Sequence, residues 1–365
     1  MTPQELVAGP YLSRPNTGVG RMMAAVMLAL LPATAVGFYR FGWPALFLFG
    51  VCLAAALLTE ALCLLLARRP LRPGLTDGSA LLTAWLLALS LPPWSPWWLG
   101  AVGSAFAIAL VKHVFGGVGQ NPFNPAMAAR VALLVSFPLP MTTWPAAAPL
   151  GSTQAPGLAD SLAITFGGAG VPDAVTSASW LDRLGTELDR GASVSQVLAE
   201  GYSMGGDWLG TGAGSLGETS ALLLLVGGLV LVALRVIHWQ VPAGMLAGVA
   251  VPALAMSLLD PAGYPGPGFH LAAGGLMLGA FFIATDPVTC PATATGRLLF
   301  GLGCGVLTYV IRTWGGFPEG VAFAVLLMNA ATPLIDHYVR PRRQGRRLGG
   351  APLDLPTAAA RGRRP

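Results

Sequence analysis

Lysine is almost absent from this chain. Lys112 is the only one, and the formal charge of +5 rests on arginine. Charged residues make up 10% of the 365 positions, against about a quarter in a soluble domain. That scarcity excludes an ordinary water-soluble fold. It also removes nucleic acid as a partner, because the arginines sit in short loops and at the C-terminal end. Cysteine is scarce as well. Cys52, Cys63, Cys290 and Cys304 fall in or beside apolar segments and form no CxxC pair. The sequence therefore supports neither an iron–sulfur cluster nor a zinc site, and no metal is expected. The first 20 residues are polar and loop-like, so no cleavable signal peptide is expected.

Apolar sequence fills the space that charge leaves. The chain is 54% hydrophobic, with a mean hydropathy of +0.65. A spanning helix needs about 20 apolar residues. Ten segments meet that need: 21–39, 43–67, 77–94, 96–114, 124–140, 218–237, 241–259, 268–285, 295–313 and 317–338. A hydrophilic stretch, 141–217, separates the fifth from the sixth. The expected fold is thus an all-α integral membrane protein in the lipid bilayer. Its parts are a lead (1–20), a first five-helix unit (21–140), a large loop (141–217), a second five-helix unit (218–338) and a basic tail (339–365).

Arginine placement gives the orientation. With the N-terminus in the cytoplasm, Arg68, Arg69 and Arg72 fall inside, as do Lys112, Arg130, Arg235, Arg297 and the tail VRPRRQGRRLGG. Only Arg40, Arg312 and the arginines of the acidic long loop fall outside. Both termini are then cytoplasmic and 141–217 is periplasmic.

A faint internal repeat relates Gly78–Gly117 to Gly274–Gly316. Each stretch has a helix, a proline-rich break, a second helix with a late basic residue, and then GG. Five spans per unit is an odd number, so the two units must be inverted. Inverted repeats place binding sites near the midplane, where broken helices meet.

The densest polar stretch near the membrane is GGVGQNPFNPAMAAR, Gly116–Arg130. Its glycines and prolines oppose a continuous helix. Asn121 and Asn124 could hydrogen-bond the edge of a flat heterocycle, with Phe123 stacking on its face and Pro125 nearby. A capped turn starting the next helix at Asn124-Pro125 fits the same residues equally well. TDPVTCP, Thr285–Pro291, reads as a helix-end turn around Asp286. Glu60 is a carboxylate inside a span, a functional candidate. It also lies about two turns from Arg68 and Arg69, so an ion pair near the interface is as good a reading. Lys112-His113 reads as a pair snorkelling to the cytoplasmic surface. PPWSPWW, Pro92–Trp98, reads as an interfacial aromatic belt.

GGVGQNPFNPAMAARVALLVSFPLPMTTW, TDPVTCPATATGR and NAATPLIDHY together resemble the family that contains the D subunit of the Rnf electron-transport complex and the B subunit of the sodium-pumping NADH:quinone reductase. The resemblance covers essentially the whole chain, and the short lead favours the Rnf branch. It implies a bacterial inner-membrane subunit of an ion-translocating ferredoxin:NAD oxidoreductase, with subunits A, B, C, E and G as partners. It implies FMN joined through its phosphate to a hydroxyl by a flavin transferase, in a motif like D-x-x-[ST]-[SG]-A-T. Here the segment runs Asp173, Ala174, Val175, Thr176, Ser177, Ala178, Ser179, with serine at the acceptor position in place of threonine. It also implies a non-covalent riboflavin near Asn121, Phe123, Asn124 and Pro125. Two flavins make physical sense, because one electron hop across about 30 Å of hydrocarbon is too slow. The competing reading is a solute or ion transporter or channel with the same inverted-repeat architecture.

Overall fold

The computed structural model describes residues 18–167, 176–177, 179–200, 202–209, 214–317 and 319–340. The basic tail, most of the lead, Asp173 and Ala178 lie outside the described residues. Helix dominates. The first helix, α1 (Val19–Leu66), is 48 residues long, or about 72 Å at the α-helical rise, more than twice the hydrocarbon thickness. It is two apolar stretches joined at Gly42, whose φ of 73° and ψ of −158° leave the helical region, followed by Pro44. The expected boundary between 39 and 43 falls at this break.

A short α2 (Leu71–Thr76) leads to α3 (Ser79–Ser90). Helix α4 (Trp97–Phe106) continues as a π-helical stretch, Ala107–His113. Helices α5 (Pro125–Ser136) and α6 (Pro138–Thr142) end the first unit. The hydrophilic segment holds strand β1 (Trp144–Pro145), α7 (Leu158–Phe166), strand β2 (Thr176–Ser177), α8 (Trp180–Asp189), α9 (Val194–Ala199) and α10 (Met204–Leu209). The two strands pair antiparallel, Trp144 with Ser177 and Pro145 with Thr176. The second unit holds α11 (Ala221–Ala233), α12 (Gln240–Leu259), α13 (Pro267–Ala272), α14 (Leu276–Leu278, running into a π-helical Gly279–Ile283), α15 (Ala294–Trp314) and α16 (Val321–Tyr338).

Four of these helices, α1, α12, α15 and α16, are long and apolar enough to cross a membrane; α3, α5 and α11 are apolar but shorter. Their outer faces carry bare leucines, with Leu58 72% and Leu258 74% exposed. A surface so apolar is stable against lipid and not against water. The chain is a multi-pass helical membrane protein. One apolar core, from Leu30 and Phe41 to Phe300 and Val325, runs through both units.

Helices α12 and α15 meet through glycine. A Cβ on Gly244 would lie 2.7 Å from Leu298 O, and one on Gly248 would lie 2.5 Å from Leu302 O. On the facing helix, a Cβ on Gly301 or Gly305 would collide with Val241 O or Met245 O. Each helix thus offers a small-xxx-small stripe that lets the backbones touch.

The eighth expected segment, 268–285, is not one helix. It breaks between α13 and α14 at Ala273–Gly274, with Gly274 at φ 70°. The break leaves helix-terminal groups unpaired within the membrane region, and two distant charges satisfy them. Arg312 donates to His270 O at 2.9 Å and Ala273 O at 3.1 Å, at the C-terminal end of α13. Glu319 accepts from Gly275 N at 2.6 Å, at the start of the next half, and pairs with Arg130 at 2.5 Å. A cation meets the negative end of one half-helix and an anion the positive end of the other, as helix dipoles favour. Arg312 is therefore a structural charge.

Candidate functional site

Local chemistry builds one end of the bundle. After the π-helical turn, Gly116, Gly117 and Gly119 take positive φ values of 114°, 103° and 85°, and the chain turns back through 120–124. Asn124 then caps α5. Its Oδ1 accepts from Ala126 N at 3.1 Å and Met127 N at 3.2 Å, with Pro125 as the first helical residue. The connection after the second π-helical stretch faces this one. There Asp286 accepts from Val288 N at 3.2 Å and from the Thr289 hydroxyl at 3.3 Å, and Thr293 caps α15. The turn expected at TDPVTCP is present.

The two connections are tied together. Asn124 Nδ2 donates to Ile283 O at 3.3 Å, and Asn124 N donates to Asn329 Oδ1 on α16 at 3.0 Å. Between them and the start of α1 lies a small, partly open cavity. Met23, Leu86 and Phe282 give it apolar walls. Asn121, Asn124, Lys112, Ser79, Thr285 and Asp286 put polar groups on it. Apolar walls carrying a few placed polar groups are the composition of ligand sites.

Asn121, Asn124 and Pro125 therefore line one cavity, while Phe123 is not among its lining residues. The amides differ in freedom. Both ends of the Asn124 side chain are engaged by the backbone. Asn121 spends one N–H on Phe123 O at 2.9 Å, which leaves its carbonyl oxygen for a ligand.

Lys112 does not snorkel. It is 3% exposed, and Glu60, 2% exposed, accepts from its ammonium at 2.7 Å. His113 Nε2 lies 3.1 Å from the same carboxylate oxygen. Glu60 thus pairs across to α4 and not with Arg68 or Arg69; Arg69 instead donates to Gly116 O at 3.1 Å. The reason is desolvation: an unpaired charge inside apolar packing is costly, and the opposite charge stands on the adjacent helix. The aromatic belt also needs correction at one position. Trp94 is buried, and its indole N–H donates to Phe41 O at 2.8 Å, while Trp97 is exposed.

The loop motif lies elsewhere. Thr176 and Ser177 form β2, so their backbone is held by the strand before α7. Ser179 is the N-cap of α8; its Oγ accepts from Asp182 N at 3.3 Å, and the residue is 7% exposed. Helix α8 packs through Leu184 near Phe269, and Trp180 meets Tyr202 edge-on at 5.4 Å. Leu181, Leu184 and Gly185 line an open groove of about 590 Å³ with Tyr264, Phe269 and Arg312.

Sequence reasoning missed the Glu60–Lys112 pair, the Arg130–Glu319 brace and the role of Asn329. Glu60 and Asn329 stand out as polar residues inside apolar runs, which was the available signal for them. Nothing local says which helix each faces.

Residues 6–345 match the model of the NQR2, RnfD, RnfE family. The chain is 56% identical over 338 residues to the D subunit of an ion-translocating oxidoreductase complex from Stutzerimonas stutzeri, covering 93% of this chain and 95% of that protein. It is 54% identical over 349 residues to the protein of the same name from Halorhodospira halophila, covering 96% and 98%. A Vibrio cholerae protein of that name is 42% identical over 353 residues, covering 93% and 99%.

Proposed function

The chain belongs to the NQR2, RnfD, RnfE family, and on that premise we propose that it is the D-type membrane subunit of an ion-translocating oxidoreductase complex, relaying electrons across the bilayer through flavins. It is not a complete enzyme alone. Subunits A, B, C, E and G are its partners, and a flavin transferase matures it. It lies in the bacterial inner membrane with both termini cytoplasmic. Ten spans form two inverted five-helix repeats, 21–140 and 218–338, with 141–217 periplasmic. The late basic residues support the repeat, because each braces the third segment of its unit: Lys112 bonds Ser79 at 2.9 Å and Arg312 bonds Ala273 O.

The observation that carries the reading is the cavity between the two proline-interrupted connections. Its apolar walls suit the faces of an isoalloxazine ring. Asn121, Asp286 and Lys112 offer an acceptor amide, a carboxylate and a cation to the ring's polar edge. These residues would hold a non-covalent riboflavin, and the flavin itself supplies the one-electron chemistry. Asn124 shapes the wall by capping α5.

Ser179 is the residue for covalent FMN, within the motif of Asp173, Thr176, Ser177 and Ala178. Attachment turns its capping hydroxyl into a phosphoester and sets a phosphate at the N-terminus of α8, where the exposed N–H groups and the helix dipole favour negative charge. The groove beside α8 offers room for a tethered ring.

The test is the flavin released when the purified protein is denatured. Wild type should release riboflavin, and Asn121→Leu should release much less while in-gel covalent fluorescence persists. A colourless wild-type protein without covalent or released flavin would favour a transporter or channel.

A further inference from the structure

The cavity has a second property that electron transfer alone does not need. A hydrogen-bonded line leads out of it. Lys112, on the cavity wall, donates to Ser79 Oγ at 2.9 Å. Ser79 Oγ donates to Asp77 Oδ1 at 2.6 Å. Lys112 and Ser79 are buried; Asp77 is half-buried, in the connection that follows the Arg68–Arg72 loop. The line therefore runs from the cavity wall to the half-buried turn between α2 and α3.

We propose that Lys112, Ser79 and Asp77 are a proton path serving the redox group in this cavity. The inference rests on the reading that a flavin occupies it. Adding an electron to a ring walled by apolar side chains leaves a charge that little solvent can screen. A proton taken up with the electron removes that charge. Lys112 is the donor: Glu60 accepts from it at 2.7 Å, and His113 Nε2 lies 3.1 Å from the same oxygen. Asp286 is the other charged side chain on the cavity wall, engaged by Val288 N and the Thr289 hydroxyl.

The step balances. One electron comes from the reduced flavin on the outer face, which is oxidised by one electron. A Lys112 N–H bond breaks and a ring N–H bond forms. Asp77 then takes a proton from water, and the Ser79 hydroxyl turns to donate to the Lys112 amine as it accepts the Asp77 proton, which restores the ammonium and the carboxylate. Glu60, 2.7 Å from Lys112 Nζ, favours return of the proton to that nitrogen. A hydroxyl suits the middle position because it both donates and accepts.

Stopped-flow reduction of the cavity flavin in the assembled complex tests this, together with redox-difference infrared spectra. Ser79→Ala should retain the flavin yet slow its reduction by about 10²-fold, the usual scale of a positioned proton carrier, and Ser79→Thr should restore the rate. Asp77→Asn should slow it similarly and remove a carboxyl band from the difference spectrum, a signal that a merely structural role would not move. Wild-type rates and spectra in both variants would overturn the path while leaving the flavin reading intact. A wild-type cavity without flavin would overturn that reading, and the path with it. Should Ser79→Ala fail to fold, the half-buried Asp77→Asn still decides.

Discussion

Asn329 Oδ1 accepts the main-chain N–H of Asn124 at 3.0 Å, joining the last helix to the amide-rich turn across 205 positions of sequence. Both residues are buried. This bond fixes one wall of the cavity against α16. Asn329→Leu leaves the Asn124 N–H without a partner, at a cost of about 1–3 kcal/mol. We expect a lower melting temperature in detergent and weaker flavin retention. Unchanged values in both would show that the turn is held by other contacts.

The Glu60–Lys112 pair should behave as a unit. Lys112→Met strands a buried carboxylate and should cost about 3–5 kcal/mol. Glu60→Gln combined with Lys112→Met should recover much of that loss, since no lone charge remains. A double-mutant cycle by thermal unfolding measures the coupling. Additive losses would mean that the two side chains do not face each other.

Close helix contact predicts a contrast between glycines. Gly248→Ala places a Cβ 2.5 Å from Leu302 O and should cost about 1–3 kcal/mol through overpacking. Gly50→Ala meets nothing within 4 Å and should be neutral or stabilising, as expected for alanine replacing glycine in a helix. Equal melting temperatures for the two variants would argue against the α12–α15 contact.

Orientation has its own test. Reporter fusions at residue 150 should read periplasmic. Fusions at 345, after the helix that ends at Tyr338, should read cytoplasmic. A cytoplasmic signal at 150 would invert the scheme and put Ser179 on the wrong side for a transferase that acts outside.

What the sequence made legible follows from range. Hydropathy is a sum over neighbours, so the apolar segments and the break near Gly42 could be read directly. The break at Ala273–Gly274 could not, because 268–285 is continuously apolar and the groups that stabilise the interruption, Arg312 and Glu319, come from later in the chain. The π-helical turns have no composition of their own. At the site, Asn121 and Asn124 stood out as amides in an apolar context, but their different duties depend on contacts with Ile283 and Asn329. Lys112 was misread for the same reason: snorkelling is what a lone lysine near a helix end does, and its partner lies 52 positions earlier.

A flavin-bearing relay is tested most directly by intact mass and peptide mapping of the protein made with its flavin transferase. One FMN is expected, added through a phosphoester on Ser179, removed by Ser179→Ala and retained by Ser179→Thr, which also keeps the cap on α8. Ser177→Ala should leave it in place. A wild-type protein with no FMN mass, or with FMN on Thr176, would contradict the assignment.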